Sequence, residues 1–237
     1  MKVLVFDIFG DFAHFRKYFT TTSPLTFAFP PPITVAGILG AIYGADKKDY
    51  LDYFGYDKCK VALQIINPIQ KVRMGLNLIN TKDNKQLLLI KKKNHEPRTQ
   101  IRTEFVRNPK YRIYFYHPEE TIYDKMKSIL QNHKAFYTFS LGLSELLADY
   151  QFIGEFDAIE KQDQFENISS VFTQNNFLEI KIDINKKILK DKMPLKINYE
   201  RVVDIYDEVI YEAEGKPLEV KLKRFFKLSN GVSIAFF

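Results

Sequence analysis

The 237-residue sequence predicts an α+β fold, in which strands and helices alternate before a strand-rich tail. Three observations support this prediction. Alternating apolar strands occur near both ends, two amphipathic helical segments lie between them, and hydrophobic residues make up 46% of the chain. A chain of this length and composition can bury one large core or two small ones.

The first predicted elements are a strand over residues 1–9 and a helix after the Pro30–Pro32 triplet. Thr34 is the expected N-cap of this helix. Gly37 and Gly40 are expected to leave small surfaces for close packing. The apolar face of the helix consists of Val35, Ile38, Leu39 and Ile42.

Two further strands are predicted over residues 60–69 and 112–116, with hairpin signals between them over residues 76–90. A second helix begins near Pro118, where acidic residues occupy the positive first turn. A third, short helix is predicted from the spacing of Leu143, Leu146, Leu147 and Tyr150.

The tail is predicted to be β-rich because polar and apolar residues alternate over residues 178–184 and 218–223. Over roughly the first 155 residues the order is β-α-β-β-α-β, which is the ferredoxin-like or RRM-like plan. The open sheet of this plan is widely used to hold single-stranded RNA. Fold alone does not give function, so the prediction of function depends on charge and side-chain chemistry.

Positive charge is concentrated in one segment. Residues 58–112 contain fourteen Lys and Arg and three acidic residues, a net charge of +11, whereas the whole chain carries +6 and the other 182 residues carry −5. A polyanion-binding surface needs such a concentration, because neutralised phosphates release their counterions. Interspersed aromatic and amide residues favour an irregular single strand over a membrane. A solvated basic loop without a ligand is the alternative.

Several other function classes are not supported. The single cysteine, Cys59, excludes an internal disulfide and is interpreted as a small buried hydrophobe. The four histidines lack metal-ligand spacing and no phosphate-binding loop is present, so neither a metal nor a cofactor is expected. No apolar run approaches the roughly 18 residues of a membrane span, and Asp7 and Asp11 interrupt any signal peptide, so a soluble cytoplasmic chain is expected.

Metal-free cleavage of RNA is the alternative chemistry. It requires a base to activate a 2′-hydroxyl, an acid for the leaving oxygen and a cation for the phosphorane. His95 beside the run Lys91–Lys93, with Tyr43 at a helix end, provides the required residue types. Their spacing specifies no such assembly, and a lone histidine in a charged loop is usually solvated and inert.

Five segments carry a resemblance to a known family: residues 7–16, 23–24, 29–44, 98–112 and 140–148. In this order, over about two-thirds of the chain, they resemble the CRISPR-associated family numbered five, a RAMP subunit of the type I Cascade surveillance complex. Each segment alone is a weak signal, but the combination is specific.

The resemblance implies a ferredoxin-like RAMP domain over residues 1–157, with a thumb hairpin inserted near 71–105, and a reduced β-rich region over residues 158–237. It also implies that the chain grips the 5′ handle of the CRISPR RNA (crRNA) and contacts the backbone and large subunits of Cascade. The chain is most similar to I-B-type members, in which a separate endonuclease cuts the precursor. In C-type relatives this subunit itself cuts, with a Tyr, a Lys and a His that map loosely onto Tyr43, Lys93 and His95.

The expected RNA-binding residues are the basic residues beside the first strand, in the thumb and in the following strand. They are Arg16, Lys17, Lys71, Arg73, Lys91, Lys92, Lys93, Arg98, Arg102, Arg107 and Lys110. If the strand is extended without a bulge, alternation places Arg98, Arg102 and Lys110 on one face and Arg107 on the other.

Three functions therefore follow from the sequence. The favoured one is an RNA-binding, non-enzymatic Cascade subunit in antiviral defence. The alternatives are a metal-independent endoribonuclease that processes CRISPR repeat RNA and a protein-interaction scaffold. The acidic remainder of the chain is expected to form a surface that suits a basic neighbouring subunit.

Overall fold

The computed structural model describes residues 1–79 and 98–237. Within these ranges the helices are α1 (Pro32–Tyr43), α2 (Tyr50–Phe54) and α3 (Glu120–Gln131). The strands are β1 (Lys2–Gly10), β2 (Phe12–Ala13), β3 (Lys60–Ile65), β4 (Gln70–Ile79), β5 (Arg98–Arg107), β6 (Lys110–Tyr116), β7 (Ala148–Lys161), β8 (Phe165–Ile168), β9 (Phe172–Thr173), β10 (Phe177–Ile180), β11 (Ile188–Ile197), β12 (Val203–Glu212), β13 (Leu218–Leu222), β14 (Phe225–Leu228) and β15 (Ser233–Ile234). The predicted mixed α+β class is confirmed.

Nine strands form one curled sheet in the order β10-β13-β8-β15-β14-β7-β1-β6-β3. Its last four members, β7, β1, β6 and β3, are antiparallel to their neighbours. Residues of α1 and α3 share one buried cluster with the inward-facing side chains of these strands. Among the described helices, none is long and apolar enough to cross a membrane.

Helix α1 begins earlier than predicted. Pro31 is its N-cap and Pro32 its first residue, so Thr34 lies inside the first turn. Proline suits this position because the missing N–H would have no partner in the helix. Gly44 is the C-cap of the helix, has a left-handed conformation and donates its N–H to the Gly40 carbonyl. Gly40 lies against Tyr50 as expected for close packing, but a Cβ at Gly37 would contact nothing within 4 Å.

The third helix predicted near residue 146 is absent from the described residues. A bridge between Ser140 and Leu147 closes a tight turn there, and Tyr150 belongs to β7. Gly142 has a φ of +108°, and a Cβ at this position would lie 1.9 Å from the carbonyl oxygen of His14. Only glycine fits at position 142, so this turn can pack closely on the backbone of His14, just after β2.

The second half continues the sheet of the first half. Strand β7 crosses residue 157, where a boundary was expected, and β14 pairs with its last four residues. Val171, Met193, Leu195, Val209 and Tyr211 belong to the same buried cluster as α1. The strand predicted over residues 178–184 ends at Ile180, and the side chains of Ile182 and Ile184 are exposed.

We predict that Gly142→Ala destabilises the protein by more than about 2 kcal/mol, because it combines a left-handed backbone with a steric overlap at His14. The melting temperature should fall by more than about 4 °C in thermal unfolding. Gly37→Ala is the matched control, since its Cβ meets no neighbour and alanine favours a helix by about 0.5–1 kcal/mol. A smaller loss at position 142 than at 37 would contradict the described turn.

Candidate nucleic-acid interface

Strands β4 and β5 form a hairpin that is separate from the large sheet. They pair antiparallel without a register shift, from Gln70 opposite Arg107 to Ile79 opposite Arg98. The short strand β2 extends β5 on its other side and makes a three-stranded sheet. Lys91, Lys92, Lys93 and His95 lie outside the described residues.

Alternation divides the side chains of the hairpin between two faces of different chemistry. One face, called the polar face below, consists of Lys71, Arg73, Gly75, Asn77 and Ile79 on β4 and Arg98, Gln100, Arg102, Glu104 and Val106 on β5. The opposite face carries Val72, Met74, Leu76, Leu78, Ile101 and Phe105. The polar face therefore gathers four cations and one acid, whereas the opposite face is mainly apolar.

Two arginines dominate the outer half of the polar face. Arg98 and Arg102 are exposed, and neither forms an ion pair with any described residue. Arg102 lies directly across from Gly75, and the side chain of Gln100 packs over this glycine. The amide nitrogen of Gln100 lies 3.0 Å from the position of a Cβ at Gly75. Planar donors and an amide on one exposed surface suit phosphates and unpaired base edges.

Glu104 organises the inner half of the polar face. Its carboxylate lies 3.1 Å from Lys71 Nζ and 3.6 Å from Arg73 Nε, and it accepts a hydrogen bond from the Thr26 N–H at 3.3 Å. Burial raises the pKa of Glu104, but Lys71, the Thr26 N–H and Arg73 outweigh this effect and hold it below 4.5. The charges of Lys71 and Arg73 are thus partly neutralised, in contrast to those of Arg98 and Arg102.

The loop of residues 16–26, called the 16–26 loop below, borders this inner half. Lys71 Nζ donates to the Thr26 carbonyl at 2.8 Å, and the Glu104 N–H donates to the Pro24 carbonyl at 2.9 Å. Arg16 is exposed and donates to the Thr20 carbonyl. Lys17 instead forms a half-buried ion pair with Asp191 of β11 at 2.5 Å, so its charge holds the loop against this strand.

Lys110 does not share the polar face, contrary to the expectation from simple alternation. Asn108 has a φ of +48° and precedes a proline, which ends β5, and Lys110 begins β6 in the nine-stranded sheet. Its Nζ lies 3.4 Å from the buried carboxylate of Asp7, which also receives Arg112 at 2.7 Å. Arg107 lies at the base of the hairpin on the opposite face.

Of the residues of the catalytic alternative, Tyr43 lies in the described part of the chain, whereas Lys93 and His95 lie outside it. Tyr43 ends α1 with Lys125 Nζ 3.8 Å above its ring, and burial raises the pKa of its hydroxyl. His14 Nδ1 lies 2.6 Å from the Glu104 carbonyl, and His117 Nε2 lies 2.9 Å from the Tyr53 carbonyl. Both histidines have backbone partners, which is typical of structural roles.

We predict that Glu104→Gln lowers stability by about 1 kcal/mol at neutral pH, since it weakens the bonds to Lys71 and Thr26. The pKa of Glu104 is lowered in the folded state, so its contribution is present above pH 4.5 and is lost as pH falls through the folded-state pKa. Denaturant unfolding should show a gap between wild type and variant that narrows below pH 4.5. A constant gap at all pH values would contradict the prediction.

Comparison with known proteins supports the family resemblance. Residues 3–202 match the model of the family described as CRISPR-associated protein (Cas_Cas5). No curated protein matches the chain. The fold is similar to the crystal structure of a CRISPR protein from Archaeoglobus fulgidus, at 15% identity and a TM-score of 0.60, over 99% of this chain and 98% of that one.

A second solved structure, a CRISPR RNA-guided surveillance complex, contains a similar chain at 11% identity and a TM-score of 0.53, over 97% of this chain and 92% of that one. At these identities the likeness concerns the fold, and the match to the family model carries the assignment. The resemblance predicted from the sequence is confirmed at the level of the family. The chain belongs to the Cas_Cas5 family of CRISPR-associated proteins.

Proposed function

We propose that this protein binds single-stranded RNA through the polar face of the β4–β5 hairpin, as a subunit of a CRISPR surveillance complex. The observation that carries the proposal is the segregation of side chains in the hairpin. Arg98 and Arg102 lie exposed on one face with Gln100, and neither is paired with an acid of the described chain. Uncompensated guanidinium groups beside an amide provide phosphate neutralisation and base-edge contacts on one surface.

The finer assignment is that the RNA is the 5′ handle of crRNA and that the hairpin acts as a thumb. Family membership and the likeness to a chain of an RNA-guided surveillance complex support this assignment. The arrangement of β1, α1, β3, β6, α3 and β7 supports classification as a ferredoxin-like RAMP unit. The subtype I-B character and a cytoplasmic location are parts of the same proposal.

The backbone and large subunits of Cascade are the proposed protein partners. Among the acidic residues after the basic segment, Glu155 is already held by Lys127 at 2.9 Å and by the Tyr123 hydroxyl at 2.8 Å. Asp149 has an exposed side chain 3.2 Å from His133, and Glu145, four residues earlier, is also exposed. Glu145 and Asp149 therefore form the more accessible acidic contact for a basic partner.

We expect the isolated protein to bind repeat RNA without cutting it. The test is incubation of labelled repeat RNA with the purified protein in EDTA, followed by native and denaturing gels. A shifted band of intact RNA supports binding. Cleavage at one position that is lost in His95→Ala supports the metal-independent endoribonuclease instead, and an unshifted, intact band leaves the scaffold function.

Arg102→Ala should weaken RNA binding about 5- to 100-fold, since it removes an exposed guanidinium with bidentate geometry. Arg107→Ala is a matched control on the same strand, because its side chain lies on the opposite face at the base of the hairpin. Binding isotherms at several salt concentrations measure both. The slope of the logarithm of the binding constant against the logarithm of salt concentration, called the salt slope, should become shallower by about 0.7 for each lost phosphate contact. We expect this change in Arg102→Ala and not in Arg107→Ala.

Arg102→Lys separates the two modes of contact available to this residue. A lysine keeps the charge but cannot form two parallel hydrogen bonds or stack as a planar group. We expect the lysine variant to keep the wild-type salt slope and to lose affinity for repeat RNA more than for an unrelated strand of equal length.

Equal losses of affinity in the two alanine variants, Arg102→Ala and Arg107→Ala, would place the RNA path elsewhere than on the polar face.

A further inference from the structure

Three aromatic side chains form an exposed cluster beside the 16–26 loop. Tyr18 and Phe19 are 53% and 60% exposed, and Tyr206 on β12 is 38% exposed. The ring centroids of Tyr18 and Tyr206 lie 5.1 Å apart at an interplanar angle of 50°. Phe19 lies 5.3 Å from Tyr18 with its ring nearly perpendicular. Exposed aromatic rings do not gain the free energy that burial of apolar surface provides, and a patch of such rings is typical of an interaction site.

The loop that carries two of these rings is held by specific contacts. Lys17 anchors it to Asp191 on β11 at 2.5 Å and lies 5.2 Å from the ring of the buried Phe27. The Thr20 hydroxyl donates to the Lys17 carbonyl at 2.7 Å, and the guanidinium of Arg16 donates to the Thr20 carbonyl at 2.9 Å. The rings of Tyr18 and Phe19 therefore extend from a loop that is already organised, so a ligand would find the surface preformed.

Two cations near the cluster form no ion pair with a described acid. Lys192 Nζ lies 5.8 Å from the Tyr206 ring, and Arg16 is exposed at the start of the loop. Among the acids of β11 and β12, Asp191 is paired with Lys17 and Glu208 lies 2.7 Å from Lys190. Asp204 and Asp207, which flank Tyr206 in sequence, form no ion pair with a described residue. Lys192 and Arg16 thus provide positive charge that no described acid neutralises by an ion pair.

The 16–26 loop links the cluster to the polar face of the hairpin. The same loop that carries Tyr18 and Phe19 ends at Pro24 and Thr26, which bond to Glu104 and Lys71. A strand of RNA that leaves Arg102 and passes Lys71 would therefore meet this loop next. Cations beside exposed aromatic rings are the usual composition of a surface for unpaired nucleotides, in which bases stack and phosphates meet the charges.

We propose that Tyr18 and Tyr206, flanked by Phe19, form a stacking site for an unpaired base of the RNA whose backbone lies along the polar face. This inference rests on the proposed function and extends the RNA path onto the second half of the chain. Arg16 and Lys192 contact the phosphates on either side of the stacked base. Tyr206 is the residue of the C-terminal half that makes the site, so the RNA surface is shared between both halves.

The test compares two strands of equal charge, each about 20 units long, which exceeds the roughly 4–16 nucleotides of a compact single-strand site. One is oligouridylate and the other is an abasic chain of tetrahydrofuran phosphates. Tyr18→Ala and Tyr206→Ala should each lower the affinity for oligouridylate about 10-fold, with an unchanged salt slope, because no phosphate contact is lost. Affinity for the abasic chain should not change.

Conservative and remote variants complete the design. Tyr18→Phe and Tyr206→Phe should retain wild-type affinity, since the ring rather than the hydroxyl stacks. Phe136→Ala removes a ring that is 70% exposed on the segment packed against Gly44, and it should leave both affinities unchanged. Thermal unfolding of each variant verifies that the fold is retained.

The outcomes separate this inference from the function on which it rests. In one outcome, the wild type binds oligouridylate, Arg102→Ala loses this binding and both tyrosine variants keep it. This result overturns the stacking site but not the RNA-binding function. Equal weakening on both strands also overturns it, because a stacking contact requires a base. Failure of the wild type to bind either strand overturns the RNA-binding function, and the stacking site with it.

Discussion

The contact between the β4–β5 hairpin and the 16–26 loop depends on one carboxylate. Glu104 lies on the hairpin, yet its bonds reach Lys71 and Arg73 on the neighbouring strand and the Thr26 N–H on the 16–26 loop. Together with the pairing of β2 and β5, these bonds hold the loop against the hairpin. Burial raises the pKa of Glu104, but Lys71, the Thr26 N–H and Arg73 lower it by more, which favours the ionised carboxylate.

This arrangement divides the basic residues into two classes with different consequences. Lys17, Lys71 and Lys110 each lie within ion-pair distance of an acid, and these pairs join distant parts of the chain. Arg98 and Arg102 have no such partner among the described residues. A charge count over residues 58–112 treats both classes alike, but only uncompensated cations attract a polyanion strongly. The structure therefore reduces the set of candidate RNA-binding residues mainly because it shows which cations are paired with acids. The positions of the cations reduce the set less.

Local patterns predicted the parts of the fold that local chemistry controls. The first strand, α3 and the tail strand after Leu218 follow the period of their apolar residues. The predicted helix near residue 146 is wrong because the left-handed Gly142 packs on His14, a contact that the spacing of leucines cannot reveal. Likewise, the positive φ of Asn108 removes Lys110 from the polar face, where alternation along one extended stretch without a bulge places it.

The remaining features depend on contacts between residues that are far apart in sequence. The pairing of Lys17 with Asp191 and the approach of Tyr18 to Tyr206 bring the first loop onto β11 and β12, whose strands were not individually predicted. The second half is thus necessary to the first in two ways. It fills the core around α1 with Met193, Leu195 and Val209, and it holds the loop at the end of the polar face. Since a close-packed core transmits strain, we expect substitutions in the core of the tail to displace the 16–26 loop at the end of the polar face.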